Sequence, residues 1–340
     1  MMSADPAVRD VSLPVHAQPS ADAFVESAQR AEELGYERAW LPETWGRDAV
    51  SLLTAMAERT DEIGLGASIL NTYSRSPALL GQTAATLQEL SDGRFRLGVG
   101  PSGPIVIENW HGMEYGNPLR RTRETVEIAK AVLSGEEVDY DGEYFDLSGF
   151  RLRCDPPDPV PPVDAAAMGP KAVELVGRFA DGWHATMFTM DGIGERLVDL
   201  ERGAELGGRS VEDVRVTVST TACALEDGEL ARDLARGHIA FYVAAMGDFY
   251  REALADQGYP EVAREITEAW HDGDREAAKA AIDDDLLDET APAGTPEHAR
   301  EVLEDWAAVD GVDAISVSFP RATDADQIER TMEALAPGAE

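Results

Sequence analysis

Eight short apolar runs rich in β-branched residues, separated for the most part by amphipathic stretches, limit how this chain can fold: the alternation is that of βα units on a parallel sheet. Strands are expected at Val11–Val15, Arg38–Leu41, Ile63–Leu70, Arg94–Val99, Val163–Ala167, Gly182–Met187, Val214–Thr220 and Val312–Ser318. Helical patterning fills Ala21–Leu34, Ala49–Glu58, Pro77–Leu90, Leu119–Leu133, Lys171–Phe179, Gly192–Leu206 and Asp324–Leu335. Ser20 and Ser76 stand where N-caps belong, the latter followed by a proline at the first helical position. Eight repeats favour a closed (β/α)8 TIM barrel over an open doubly wound sheet, and no Gly-x-Gly-x-x-Gly fingerprint follows the first strand. Barrels of roughly 250 residues form one domain, so the 340 residues read as a single barrel domain, 1–340, with additions.

Two segments interrupt the repeat. The first is a hairpin insertion, 136–150, in which Val138–Leu147 reads VDYDGEYFDL, and Asp141-Gly142 suits a tight turn with positive φ. The second is a helical acidic insertion between strands seven and eight, 223–292. It carries helical patterns at Leu230–Tyr242, Gly247–Gln257, Pro260–His271 and Arg275–Leu287. At the strand-to-helix end of a barrel such an insertion becomes a lid or a subunit contact, or else a spacer without a role in the site.

Charge narrows the partners. The chain has 29 basic and 65 acidic side chains, a net charge of −36, and its basic residues do not cluster. That field repels nucleic-acid phosphates and anionic lipid heads, so neither nucleic acid nor a membrane surface is an expected partner. Only Lys130, Lys171 and Lys279 are lysines, while acids are spread along the whole chain. We read a surface suited to high salt, where a Debye length of about 3 Å at 1 M screens self-repulsion, and hence a halophilic source. No run of about 18 apolar residues exists, Met1 to Arg9 lacks the pattern of an export signal, and Cys154 and Cys223 have no metal spacing. A reducing cytoplasm is the expected compartment.

In such barrels chemistry sits where strands end and βα loops begin. After strand two comes Pro42-Glu43-Thr44-Trp45, a carboxylate, a hydroxyl and an aromatic side chain, though Glu43 could equally cap the next helix. After strand three, Ser68-Ile69-Leu70-Asn71-Thr72-Tyr73-Ser74-Arg75 offers polar atoms and a guanidinium fork. Strand four runs into Gly98-Val99-Gly100-Pro101-Ser102-Gly103, where glycines admit a planar ligand close to the backbone. Strand five ends in Met168-Gly169-Pro170-Lys171 and opens a helix at once, a ready anion site, unless Lys171 is only a solvated helix-start lysine. His184, just beyond strand six, is either a proton relay or a hydrogen-bonded structural residue.

Other chemistries fall away. His16, His111, His184, His238, His271 and His298 show neither His-x-His nor His-x-x-x-His spacing, and no Gly-x-Ser-x-Gly elbow occurs. With neither a metal set nor a protein nucleophile, an organic cofactor should supply the reactivity.

These loops resemble the bacterial luciferase-like flavin and deazaflavin oxidoreductases, in particular the branch using coenzyme F420 that includes methylenetetrahydromethanopterin reductase. The resemblance rests on NTYSRSP (Asn71 to Pro77), LGVGPSG (Leu97 to Gly103) and MGPKAVELVGRFADGW (Met168 to Trp183). It implies coenzyme F420, or alternatively FMN, bound at the C-terminal mouth, with a non-prolyl cis peptide at Ser68–Ile69. It further implies Asn71 and Arg75 near the ring, Gly98, Gly100, Pro101 and Ser102 along the tail, and Gly169, Pro170 and Lys171 at a phosphate. Glu43 and Thr44 would face a small-molecule substrate, with Glu43 as proton relay and His184 in reserve, in a homodimer. Two departures stand out: strand one, read as Val11-Ser12-Leu13-Pro14-Val15, lacks the glutamate of the methylenetetrahydromethanopterin reductases, and Thr44 stands where several deazaflavin dehydrogenases have histidine.

Overall fold

The computed structural model describes residues 7–15 and 17–339, so His16 lies outside the described residues. Eight parallel strands close into a barrel: β1 (Val8–Ser12), β2 (Arg38–Leu41), β3 (Gly64–Ala67), β4 (Phe95–Gly100), β5 (Val163–Ala166), β6 (Gly182–Thr186), β7 (Arg215–Thr221) and β8 (Ala314–Ser318). Each pairs with its sequence neighbours, β3 with β4 through Leu65↔Phe95, and β1 with β8 through Val8↔Ala314 to Val11↔Val317. The eight-stranded TIM barrel expected from the repeat is the observed fold.

Strand one is displaced from its expected position by three residues. It pairs with β8 from Val8 onward, while Pro14 has no N–H to give a ladder, so Leu13 to Val15 leave the sheet at the mouth. Strand three stops at Ala67 and resumes only as Leu70–Asn71, with a cis peptide at Ser68–Ile69 between the pieces.

Alternation points every second strand residue inward, and the barrel's lower half is filled with charge. Arg96 grips Asp164 with two hydrogen bonds (Nε to Oδ2 2.9 Å, Nη2 to Oδ1 2.6 Å), and Trp40 Nε1 donates to Asp10 at 2.8 Å with Arg215 3.3 Å away. Glycines on the facing strands make the room. A Cβ on Gly66 would lie 2.2 Å from the Trp40 ring, and one on Gly98 2.0 Å from the Ala67 carbonyl oxygen. Above this layer the inward residues become small and hydroxylic, with Ser12, Ser68, Thr186, Ser219 and Ser318 forming a collar beneath the mouth.

Helices α1 (Ala21–Glu33), α2 (Ala49–Ala57), α3 (Pro77–Leu90), α4 (Pro118–Leu133), α5 (Pro170–Phe179) and α6 (Met190–Leu206) pack outside. Most begin on a side-chain cap: Ser20, Asp48, Ser76, Asn117 and Thr189 each accept a first-turn N–H. The Val138–Asp141 and Asp146–Phe150 strands form a hairpin, but its turn is not tight. The Glu124 carboxylate accepts the N–H groups of Glu143, Tyr144 and Phe145 and spreads the loop over four residues, and Gly142 has no positive φ.

Five helices make up the segment between Ala224 and Ala293: α7 (Gly228–Ala245), α8 (Asp248–Asp256), α9 (Pro260–His271), α10 (Arg275–Ala280) and α11 (Asp284–Thr290). They share an apolar core of their own around Ile239, Val243, Ile266 and Leu287. A two-rung parallel ladder, Cys223↔Ala293 and Ala224↔Gly294, brings the segment's two ends together on the barrel. The single helix expected over Arg275–Leu287 is two, because Asp283 caps a new one through the N–H of Leu286. Sequence reading overlooked α12 (Pro296–Ala307), although Thr295 as cap and Pro296 at its first position announce it; α13 (Ala325–Ala334) closes the ring.

Candidate active site

At the C-terminal end of the barrel lies a cavity of about 1150 Å3. Its floor is the hydroxyl collar with Ile69 and Ala166, and its sides come from the loops after β1, β2, β4, β5 and β8. Helices α7 and α8 form the remaining wall through His238, Phe241, Tyr242, Met246, Phe249 and Tyr250. One compositional fact dominates: in a chain with 65 acidic residues, no aspartate or glutamate among the described residues lines this cavity, whereas Lys171 and Arg321 do.

The α5 corner differs from the other helix starts around the barrel. Of the helices ringing the barrel, α5 alone among the described residues starts without a side-chain cap, because Gly169 occupies that position. Gly169 has an ordinary φ of −79°, and a Cβ there would meet nothing within 4 Å. The glycine is therefore not demanded by the backbone; its effect is that no side chain caps the turn, in which Pro170 has no N–H, the Ala172 N–H donates to the Gly169 carbonyl, and that of Lys171 is left. Lys171 stands in that turn. Lys130 pairs with Asp181 and Lys279 with Asp233 and Glu276, but Lys171 makes no ion pair among the described residues.

Several residues named from sequence meet at the cavity: Thr44, Ser68, Ile69, Pro101, Ser102, Met168, Gly169, Pro170, Lys171 and His184 all line it. Others do not. Glu43 and Arg75 bind each other, Nη1 to Oε2 at 2.5 Å and Nη2 to Oε1 at 2.9 Å, and Arg75 also holds Asp48 at 2.6 Å. Both Glu43 oxygens are thereby engaged, which removes the carboxylate from the proton-relay position expected of it, and Arg75 from the ring. Asn71 is buried and turned toward its own backbone, accepting the N–H groups of Tyr73 and Ser74, so it shapes the loop. Gly98 and Gly100 act through space they leave empty: a Cβ on Gly100 would press Ile69 and Ala166 at 3.1 and 3.2 Å.

His184 sits lowest in the site, 5% exposed, its ring edge-on to Trp40 at 4.4 Å between centroids. Its Nε2 lies 3.5 Å from Asp164 Oδ2. Burial by itself would raise the Asp164 carboxyl, but Arg96 and His184 outweigh it and hold the group well below the usual carboxylate range. A permanent carboxylate thus faces the lower edge of the imidazole. Strand one does carry an acid, Asp10, which the misplaced strand boundary concealed. It is wholly buried under Trp40 and turned away from the cavity.

Sequence reading missed the wall supplied by α7 and α8. Its one signal was the i, i+4 spacing of His238 and Tyr242, which stack at 4.6 Å. Phe319 and Arg321 after β8 were also missed. Among the described residues no group of three histidine, cysteine, aspartate or glutamate side chains is gathered as a metal site, and no helix is long and apolar enough to cross a membrane.

Comparison with known proteins follows from this geometry. Residues 7–313 match the family model described as luciferase-like monooxygenase. The 5,10-methylenetetrahydromethanopterin reductase of Archaeoglobus fulgidus is 30% identical over 262 residues, covering 76% of this chain and 78% of that protein. An F420-dependent glucose-6-phosphate dehydrogenase of Amycolatopsis mediterranei is 31% identical over 228 residues, 63% of this chain and 68% of that one. Among solved structures, the coenzyme F420 dependent tetrahydromethanopterin reductase of Methanopyrus kandleri superposes with a TM-score of 0.82. It covers 98% of this chain and 99% of its own at 24% identity, a likeness of fold.

Proposed function

The chain belongs to the luciferase-like monooxygenase family, and from that premise we propose that it is a coenzyme F420-dependent oxidoreductase acting on a small organic substrate. The observation that carries this reading is the cavity wall without carboxylates, bearing an unpaired Lys171 beside an uncapped helix start, in a strongly acidic chain. Such a wall suits an anionic cofactor. A volume of about 1150 Å3 exceeds the roughly 300–1,000 Å3 of ordinary ligand pockets, which supports room for cofactor and substrate together.

Bound there, a deazaflavin would supply hydride chemistry at its C5. The chain's own part is binding, orientation and exclusion of water. Lys171, with its side chain and its own backbone N–H at the start of α5, holds the phosphate. Ser68, Ile69 and Met168 flank the ring, and Pro101 and Ser102 lie along the tail. Of the proton-relay and substrate-facing residues read from the sequence, Thr44 and His184 are the ones at the cavity once Glu43 is committed to Arg75, and His184 has the Asp164 carboxylate 3.5 Å from its Nε2. The finer readings complete the proposal: one barrel domain with 136–150 and 223–292 as insertions, acting as a homodimer in a salt-rich cytoplasm.

Calorimetric titration of the purified protein with coenzyme F420 and, separately, FMN tests the cofactor. F420 should bind, and Lys171→Ala should weaken it by about 1–3 kcal/mol, the value of a hydrogen bond to a charged group. Heat with FMN alone would move the protein to the oxygen-using monooxygenases of its family. Tight F420 binding without oxidation of the reduced form by imines, enones, ketones or pterins would make it a binding protein.

A further inference from the structure

Across the mouth from Lys171 the wall changes character. The loops after β5 and β8 are three strands apart around the barrel, so Lys171 and Arg321 stand at well-separated places on the rim. The Arg321 guanidinium carbon lies 3.6 Å from the centroid of the Phe241 ring, and the guanidinium makes no ion pair among the described residues. The Arg321 backbone N–H donates to His238 Nδ1 at 3.1 Å, which fixes the loop to α7. Beside it Tyr242 and Tyr250 meet edge to face at 5.0 Å, both on the cavity wall, and neither hydroxyl is hydrogen-bonded to a described residue.

Burial pushes both phenols above their ordinary range, Arg321 pulling Tyr242 back part of the way, so both keep their protons at neutral pH. This part of the wall therefore offers two O–H donors and a guanidinium, with no carboxylate to answer them. A guanidinium and two phenolic O–H groups with no carboxylate beside them suit an oxyanion, which can accept from all three. The rings of His238, Phe241, Tyr242 and Tyr250 supply flat faces suited to a planar partner.

We propose that this is a second anion-receiving subsite, and that the substrate is a flat unsaturated molecule carrying a carboxylate or phosphate held by Arg321, Tyr242 and Tyr250. The proposal rests on the oxidoreductase reading in treating this end of the cavity as the substrate's. Each proposed ligand then meets one of the two cations on the cavity wall, Lys171 or Arg321.

Cinnamate and its neutral counterpart cinnamyl alcohol serve as probes, titrated by calorimetry into the F420-loaded protein. Cinnamate should bind at least tenfold more tightly than the alcohol. Arg321→Gln should reduce that preference to twofold or less with the melting temperature retained. Should that variant not fold, the doubly substituted Tyr242→Phe, Tyr250→Phe protein, in which the rings remain, should lower cinnamate affinity two- to fivefold and leave the alcohol unchanged. Repeating the titration with cofactor-free Lys171→Ala separates the two readings. A cinnamate preference there, with no F420 binding by the wild type, keeps the subsite and sinks the cofactor assignment. Equal binding of both probes, binding of neither, or a preference indifferent to Arg321 and the two hydroxyls would overturn the subsite.

Discussion

Gly169 shows how one residue trades stability for binding. Its backbone, φ −79° and ψ 160°, is the conformation in which aspartate or serine caps a helix, and the space around it is open. Gly169→Asp should therefore cap α5 and add roughly 0.5 kcal/mol to stability, since aspartate exceeds glycine as a cap by only a few tenths and also favours the helix dipole. The same carboxylate would stand where the cofactor's phosphate is proposed to bind, and F420 affinity should fall at least tenfold. Denaturant titration and calorimetry on one variant must move in opposite directions; a fall in both would place the phosphate elsewhere. Glu43 carries the complementary lesson. Its type and position in the loop were legible, but its partner Arg75 lies 32 residues away and becomes a neighbour only when β2 and β3 pair side by side.

Parallel strands read well because both their faces are buried, one in the barrel and one under helices, so even short runs are rich in apolar and β-branched residues. What escaped was register. Strand one was misplaced because Leu13 and Val15 are as apolar as the strand proper, and the missing ladder donor at Pro14 is the only local sign that the sheet has ended. The inward layer of Asp10, Arg38, Arg96, Asp164 and Arg215 was invisible for a related reason: each charge is answered from another strand, so none looks buried in its own segment. That layer can be tested. Asp164→Asn leaves the Arg96 charge buried without a counter-charge and should cost about 3–5 kcal/mol. Because the native carboxyl titrates below its unfolded value, this cost should be full above about pH 4 and vanish as the pH falls through the depressed native value. Unfolding free energies of both proteins measured down the pH scale check it, and a pH-independent gap would contradict the ion pair. The helices α7 to α9 were legible one by one from periodicity, and α10 and α11 as a single run, yet nothing in a helical pattern says that α7 and α8 turn their aromatic residues to the barrel mouth.

For the molecule as a whole, a net charge of −36 stores self-repulsion that salt relieves. Raising KCl from low concentration to the molar range should raise the melting temperature in a scanning calorimeter, steeply while the Debye length is still longer than the spacing of neighbouring surface acids. A flat or falling curve would remove the case for a salt-adapted surface. The charged filling of the barrel also has a bearing on traffic. Arg96, Asp164, Asp10 and Arg215 stopper the lower end, so the barrel's axis offers no route to the cavity from below, and the mouth overlooked by α7 and α8 is the way in along it. Two ligands entering by that mouth, as proposed, should queue, the deeper guest arriving first and departing last, an order that initial-rate kinetics would read as a legacy of the plugged cylinder.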